Sequence, residues 1–206
     1  MKMVEHTIPT ELAPVAPADP EALNRLGGAL LAAATSGGLL DIGYRVVDSP
    51  LGQLLLAGTE AGLVRVAFAT EGHDLVLEQL ATTIGPRILR APSRLDRAAI
   101  ELEEYFAGRR TDFDLALDLR LATGFRREVL DHLPTIGYGH TASYAAVAAM
   151  TSSPRAVRAV GTACARNPLP LVLPCHRVVK SDGSQGAYLG GVEAKALLLA
   201  LESGPK

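Results

Sequence analysis

The chemistry-bearing residues of this chain gather in Asn167-Pro-Leu-Pro-Leu-Val-Leu-Pro-Cys-His-Arg-Val-Val179, where Cys175 and His176 set a thiol beside an imidazole. A thiolate is a strong nucleophile, and an imidazole able to take its proton raises the reactive population at neutral pH. Adjacency alone proves little. A single cysteine is most often a small buried hydrophobe, and on an extended strand neighbouring side chains point to opposite faces. The surroundings carry more weight. Pro168, Pro170 and Pro174 exclude a helix and are expected to hold the backbone extended. The apolar run Leu171-Val172-Leu173 must be buried, which takes Cys175 and His176 inward with it.

A chain of 206 residues is long enough for one large domain or two small ones. Its hydrophobic content of 48% supports a real core, and 4% aromatics with no Trp makes that core mostly aliphatic. Two cysteines, Cys164 and Cys175, form no disulfide framework, and their flanks lack zinc-ligand spacing. Reduced thiols in the cytoplasm are the natural reading, with no metal and no cofactor expected. The net charge of −2 hides an asymmetry: residues 1–120 hold 11 Lys/Arg against 17 Asp/Glu, and residues 121–206 hold 9 against 5. An acidic half (−6) beside a basic one (+4) suggests that only the C-terminal half meets a polyanion. The N-terminus lacks a secretory pattern. Leu26 to Leu40, the most apolar early run, is too short and too glycine-rich to cross a bilayer, so no membrane partner is expected.

The elements that must position the thiol come in two styles. Residues 1–40 read as a proline-rich arm and a helix, with Asp19 as N-cap, Pro20 at the first helical position, and a stop at Gly37-Gly38. Residues 41–120 read as an α/β domain. Strands at 43–47, 53–57 and 63–69, separated by the turn chemistry of Ser49-Pro-Leu-Gly52 and Gly58-Thr-Glu-Ala-Gly62, predict an antiparallel meander. Helices follow at 73–83 and 94–106, the second with Leu95, Ala98, Leu102 and either Tyr105 or Phe106 on one stripe, and 113–119 is expected to return as a strand.

Residues 121–206 read as all-α apart from the opening segment. Thr123 is expected to cap a helix over 125–133, stopped by Pro134. Helices over 143–150 and 154–166, the second with Ser153 as N-cap and Pro154 at its first position, are joined by a tight turn in the manner of a helix-turn-helix. A last helix over 192–201 should bury Leu197, Leu198 and Leu201. The 154–166 helix is slim, with Ala156, Ala159, Gly161 and Ala163, and Gly161 costs about 1 kcal/mol against Ala. Close approach to a groove or packing on another helix would each explain it, and Arg155, Arg158 and Arg166 offer partners for phosphates.

Taken together, Tyr138-Gly139, Ser143-Tyr144, Arg158-Ala-Val-Gly161, Asn167-Pro168, Pro174-Cys-His-Arg-Val-Val179, Gly186-Ala-Tyr188-Leu-Gly-Gly191 and Leu199-Ala-Leu-Glu202 resemble, in order and spacing, the O6-alkylguanine-DNA alkyltransferases (methylated-DNA–protein-cysteine methyltransferases). The likeness covers roughly residues 41–203. It implies an RNase H-like α/β N-terminal domain followed by a helix-turn-helix C-terminal domain that carries the active site. The implied function is direct reversal of DNA damage, with an alkyl (methyl) group transferred irreversibly from O6-alkylguanine in duplex DNA to Cys175, once per molecule.

The resemblance also implies the roles. His176 takes the thiol proton through a water, Glu202 orients the imidazole, Asn167 braces the active-site turn and Tyr144 helps rotate the target nucleotide. Arg158 fills the vacated base stack as a finger while Arg155, Ala156, Ala159 and Gly161 meet the minor groove; Val172, Tyr188 and Leu189 line the base pocket. Leu189 stands where the family often carries a polar residue that contacts the leaving base, and Ala187 replaces a commoner Gly or Asn. A monomer is expected, with room for self-association on DNA. Two rivals remain at this point: a lesion sensor that binds without accepting the group, disfavoured by the presence of Cys175, and a Cys–His hydrolase that turns over.

Overall fold

The computed structural model describes residues 19–204. They divide into two units, one ending at Gly38 and one beginning at Leu39. The first is a single helix, α1 (Pro20–Ser36). Its start is as expected, with Asp19 Oδ1 accepting from the Glu21 amide at 3.0 Å. The arm expected before it lies outside the described residues.

The second unit opens with a four-stranded sheet of order β3-β2-β1-β4, built from β1 (Ile42–Val47), β2 (Leu54–Thr59), β3 (Gly62–Phe68) and β4 (Ile88–Arg90). The meander is antiparallel, with Val47 opposite Leu54 and Leu54 opposite Phe68. The Ser49–Gly52 turn closes on reciprocal backbone bonds of 3.1 and 3.0 Å, with Gly52 at φ +86°. β2 is buried on both faces, and its alternation divides the core. Leu54 and Leu56 join one cluster, while Leu55 and Ala57 join another with Val76 and Leu80 of α2 (His73–Thr83). The first cluster continues through α3 (Asp96–Phe106), by way of Ala98, Leu102 and Tyr105, into the C-terminal helices.

Two differences from the sequence reading concern strands. β4 was not expected. It pairs parallel to β1, with Ile42 opposite Ile88, and is held there by Asp41, whose side chain accepts from the Arg87 amide and guanidinium. Three residues, two of them half-buried and Arg90 exposed, are too few to show a period. Residues 113–119, in contrast, form no strand. They touch β3 through one bridge, Leu63 to Leu117, with the Leu63 amide donating to Ala116 O at 2.8 Å. Gly62 at φ +141° makes this approach possible, since a Cβ there would lie 2.2 Å from Ala116 O. Further along, the β3 edge is taken by Pro168, whose carbonyl accepts from the Val66 amide at 2.9 Å.

The C-terminal part holds α4 (Gly124–His132), α5 (Tyr144–Ala149), α6 (Val157–Ala165) and α7 (Gly191–Ser203). It is not purely helical: β5 (Ala142–Ser143) and β6 (Val178–Val179) form a small parallel ladder. Ser143 Oγ caps α5, accepting from the Ala146 amide, whereas the Thr123 hydroxyl makes no cap bond. α6 starts later than expected. Ser153 is not its N-cap: Ser153 O accepts from the Ala156 amide in a turn that carries Pro154 and Arg155, and the helix begins at Val157. In α7, Leu198 is buried but Leu197 is exposed, because Lys195 and Glu202 take the inward stripe instead.

Candidate active site

The proline-rich segment does not run extended. Residues 168–173 fold into a turn in which the Leu173 amide donates to Leu169 O at 2.8 Å, and Leu171 is the one described non-glycine residue at positive φ (+75°). The prolines do exclude an α-helix. The buried apolar side chains of Leu169, Leu171 and Leu173 reward a coiled path over an extended one, at the cost of backbone strain in the left-handed region. A 3₁₀ turn, Cys175–Arg177, follows and leads into β6.

Asn167 holds this turn together and is wholly buried. Its Oδ1 accepts from the Leu169 amide at 3.0 Å, and its Nδ2 donates to Leu173 O at 2.8 Å and lies 3.1 Å from Cys175 Sγ. Burial pushes the Cys175 thiol up to about 11, although the Asn167 amide and the nearby Lys195 ammonium pull the other way. The Cys175 thiol is therefore neutral at rest.

The neighbouring imidazole has a tautomer fixed by its partner. His176 Nε2 lies 2.9 Å from Glu202 Oε1. Burial alone would raise the Glu202 carboxyl, but hydrogen bonds from His176 and Arg177 outweigh it and hold the group at about 2, so it is ionised and accepts. Nε2 then carries the proton and Nδ1 the lone pair. Nδ1 is buried and has no hydrogen-bond partner among the described residues. Burial lowers the imidazole's own pKa despite Glu202, so His176 is neutral at rest.

Glu202 is the hub of the buried polar network. It also accepts from Tyr105 Oη at 2.7 Å, from Arg177 Nε at 2.9 Å and a terminal nitrogen at 3.0 Å, and from the Gly139 amide at 3.3 Å. Arg177 spends another donor on Ile136 O at 2.6 Å. The sequence reading placed Glu202 but assigned no role to Tyr105, Arg177 or Lys195. Each left a trace: a phenol on a buried stripe needs a partner, Arg177 stands in an otherwise buried motif, and Lys195 shares the inward stripe of α7 with Leu198 and Glu202. Lys195 is fully buried, donates to Val178 O at 2.6 Å and stands 6.0 Å from the centre of the Tyr144 ring.

The remaining predicted residues fall into two places. Tyr188 packs edge-on against Phe68 and His176, at 5.7 and 6.2 Å between ring centres, and its buried hydroxyl has no partner among the described residues. Val172 is buried and Leu189 half-buried against the same core. Tyr144 is partly buried beneath the 180s loop, where a Cβ on Gly186 would come 2.2 Å from its hydroxyl. Arg158 and Ala159, in contrast, lie exposed on α6, with Arg155 exposed in the turn before it and Ala156 and Gly161 half-buried. A Cβ on Gly161 would meet only the Tyr144 ring, at 3.9 Å, so packing within the chain does not demand glycine there. The ion pairs of this part, Arg127–Asp131, His176–Glu202 and Arg177–Glu202, leave Arg155, Arg158 and Arg166 without a carboxylate among the described residues.

A buried thiol on a 3₁₀ turn, next in sequence to a neutral imidazole fixed by an ionised carboxylate, is an arrangement suited to a cysteine nucleophile, and the exposed Arg155, Arg158 and Arg166 lie along and beside α6. Residues 42–119 match the family model "6-O-methylguanine DNA methyltransferase, ribonuclease-like domain", and residues 124–204 match "6-O-methylguanine DNA methyltransferase, DNA binding domain". A methylated-DNA–protein-cysteine methyltransferase of Mycolicibacterium paratuberculosis is 41% identical over 161 residues, 78% of this chain and 92% of that protein. The constitutive one of Bacillus subtilis is 39% identical, over 77% of this chain and 94% of its own length. Among solved structures, Mycobacterium tuberculosis OGT in complex with DNA aligns with a TM-score of 0.68 at 40% identity, covering 78% of this chain and 92% of the other. The chain belongs to the 6-O-methylguanine DNA methyltransferase family, with a ribonuclease-like α/β domain followed by a DNA-binding domain.

Proposed function

We propose that this chain is a methylated-DNA–protein-cysteine methyltransferase, which repairs duplex DNA by moving an alkyl group from guanine O6 onto its own Cys175. Family membership and the relatives' activity support the reaction, and the DNA complex of a relative supports the partner. The observation that carries the residue roles is the His176–Glu202 couple, which leaves Nδ1 as a free base in a buried site that also holds the thiol.

The chemistry follows from that arrangement. A water between the two groups passes the Cys175 proton to His176 Nδ1, and Glu202 stabilises the imidazolium that forms. The thiolate attacks the alkyl carbon, the S–C bond forms, and the O6–C bond breaks with its electron pair going to the guanine. Tyr188 Oη, buried and without a partner among the described residues, is placed to donate to the leaving base. A thioether is not hydrolysed by an imidazole and a carboxylate, so each molecule acts once. Asn167 keeps the turn and the sulfur in register.

Guanine O6 lies inside the duplex, so the nucleotide must leave the stack. α5, the 150–156 turn and α6 form the helix-turn-helix in this reading, with the exposed face of α6 in the minor groove. Ala156, Ala159 and Gly161 allow close approach, Arg155 meets phosphate, Arg158 fills the vacated stack, and Tyr144 guides the rotating nucleotide. Val172, Tyr188 and Leu189 line the pocket that receives the base. Residues 41–120 form the RNase H-like domain and 121–206 the DNA-binding and transfer domain, with 1–40 an appendage. The protein works as a monomer, and both cysteines are free, as a reducing cytoplasm would keep them.

The test is mass spectrometry after incubation with duplex DNA bearing O6-methylguanine. An equimolar methyl adduct on the Cys175 peptide is expected. Turnover beyond the protein concentration, or an adduct mainly on Cys164, would overturn the assignment.

A further inference from the structure

Besides Tyr105, the α/β domain makes a second polar contact with the active-site segment. Arg65, on the edge strand β3, directs one guanidinium nitrogen at three carbonyls: its neighbour Val66 at 3.2 Å, Pro168 at 3.3 Å and Asn167 at 3.4 Å. The other terminal nitrogen pairs with Glu71 Oε2. Glu71 is itself fixed, because its Oε1 accepts from the Phe68 amide at 2.9 Å. Both side chains are largely shielded, with 13% and 16% of their surface exposed, so solvent screens the pair far less than it would on an open surface. The backbone joins in at the same place, with the Val66 amide on Pro168 O at 2.9 Å.

The two carbonyls that Arg65 holds across the chain belong to the successive peptides Asn167–Pro168 and Pro168–Leu169, and Asn167 is the residue whose side chain meets Cys175 Sγ. A chain of contacts therefore runs from Glu71 through Arg65 to Asn167 and the acceptor sulfur. The planar fork of arginine suits this task, since it can bind a carboxylate on one side and carbonyls on the other without losing alignment. Packing alone would not need a charge here; an apolar residue would fill the space without the cost of desolvating a guanidinium.

We propose that Arg65, held by Glu71, is a positioning residue for alkyl transfer, setting the place of the Cys175 thiol through Asn167 from the other domain. The inference rests on the function proposed above. It gives the α/β domain a part in the chemistry beyond covering the core. Loss of the fork lets the Asn167–Pro168 peptide shift, and Nδ2 then no longer favours the thiolate.

The experiment uses full-length Arg65→Met, which keeps the stem, Arg65→Lys, which keeps the charge, and Glu71→Gln. Single-turnover transfer is measured across pH at saturating O6-methylguanine duplex. Alkylation of Cys175 by iodoacetamide, located by mass spectrometry, is measured beside it. Arg65→Met is expected to slow transfer by about tenfold or more, given that a 1 Å misplacement can cost about a hundredfold. The rise of rate with pH should move to higher pH in both assays, DNA affinity should hold, and Lys should recover part of the rate. A variant that melts at lower temperature while keeping wild-type rates and pH profiles would overturn the proposal, leaving Arg65 a merely structural residue. If Arg65→Met does not fold, Arg65→Lys and Glu71→Gln decide the same question. If the wild type takes no alkyl group from DNA, the functional reading fails, and the iodoacetamide profiles still decide the positioning role.

Discussion

Replacing Glu202 by Gln removes the single anion of the buried network while leaving its shape. The magnitude follows from the carboxyl's displacement, from an ordinary 4.5 to about 2 in the folded chain. At about 1.4 kcal/mol per pH unit this corresponds to about 3 kcal/mol of stability at neutral pH. A second route gives a similar value: breaking a buried ion pair from one side costs about 3–5 kcal/mol, and Arg177, 4% exposed, would lose its one carboxylate. For a chain of this size each kcal/mol moves the melting temperature by about 2–4 °C, so Glu202→Gln should melt roughly 6–12 °C lower at pH 7. The pH dependence carries a sign. Because the folded pKa lies below the unfolded one, the contribution is complete above pH 4.5 and is lost as pH falls through about 2. His176 adds an earlier loss: its folded pKa is also depressed, chiefly by burial, so its contribution is present above its ordinary 6.5 and fades as pH falls below that. Thermal melts of the wild type from pH 8 to pH 3 should show both losses, and the lower one should vanish in Glu202→Gln. Transfer should slow as well, since the imidazolium loses its counter-charge. A variant that melts within about 2 °C of the wild type, less than about 1 kcal/mol, would refute the hub role.

Cys175→Ser should abolish transfer and leave DNA binding intact in a gel-shift assay, because an alcohol is scarcely ionised at neutral pH; Cys164, pushed up to about 12 by burial, should not rescue it. Arg158→Ala should slow repair in duplex DNA far more than any reaction with a free O6-benzylguanine base, whereas the loss of a simple phosphate contact would lower the salt slope of binding by about one. Methylated protein should melt several degrees below the free form, since Cys175 is 2% exposed with Asn167 Nδ2 at 3.1 Å from its sulfur, and overpacking costs about 1–3 kcal/mol. An unchanged or raised midpoint after complete reaction would show that the site takes the group without strain.

What could be read from the sequence follows from the range of the forces involved. Alternation in β2 and the stripe on α3 are local patterns, so the meander, α2 and the buried face of α3 were legible within a residue or two. β4 was not, because its pairing depends on the long-range grip of Asp41 on Arg87 rather than on any period of its own. The active-site segment shows the same limit in sharper form. Three prolines correctly forbade an α-helix, but the choice between an extended path and a turn was made by Asn167, whose amide spans from Leu169 to Leu173 and Cys175. Residue type alone does not reveal which carbonyl a buried amide will find. Cys175, His176, Glu202 and Asn167 were all named from a motif, and the structure places them together. Tyr105 and Arg65 lie 97 and 102 positions from the partners they reach, Glu202 and the Asn167 carbonyl. Their roles arise only when the sheet edge and α3 are folded against the C-terminal half. The motif thus names the groups that meet at the site, while the contacts that hold them come both from their own part of the chain and from Arg65 and Tyr105 of the α/β domain.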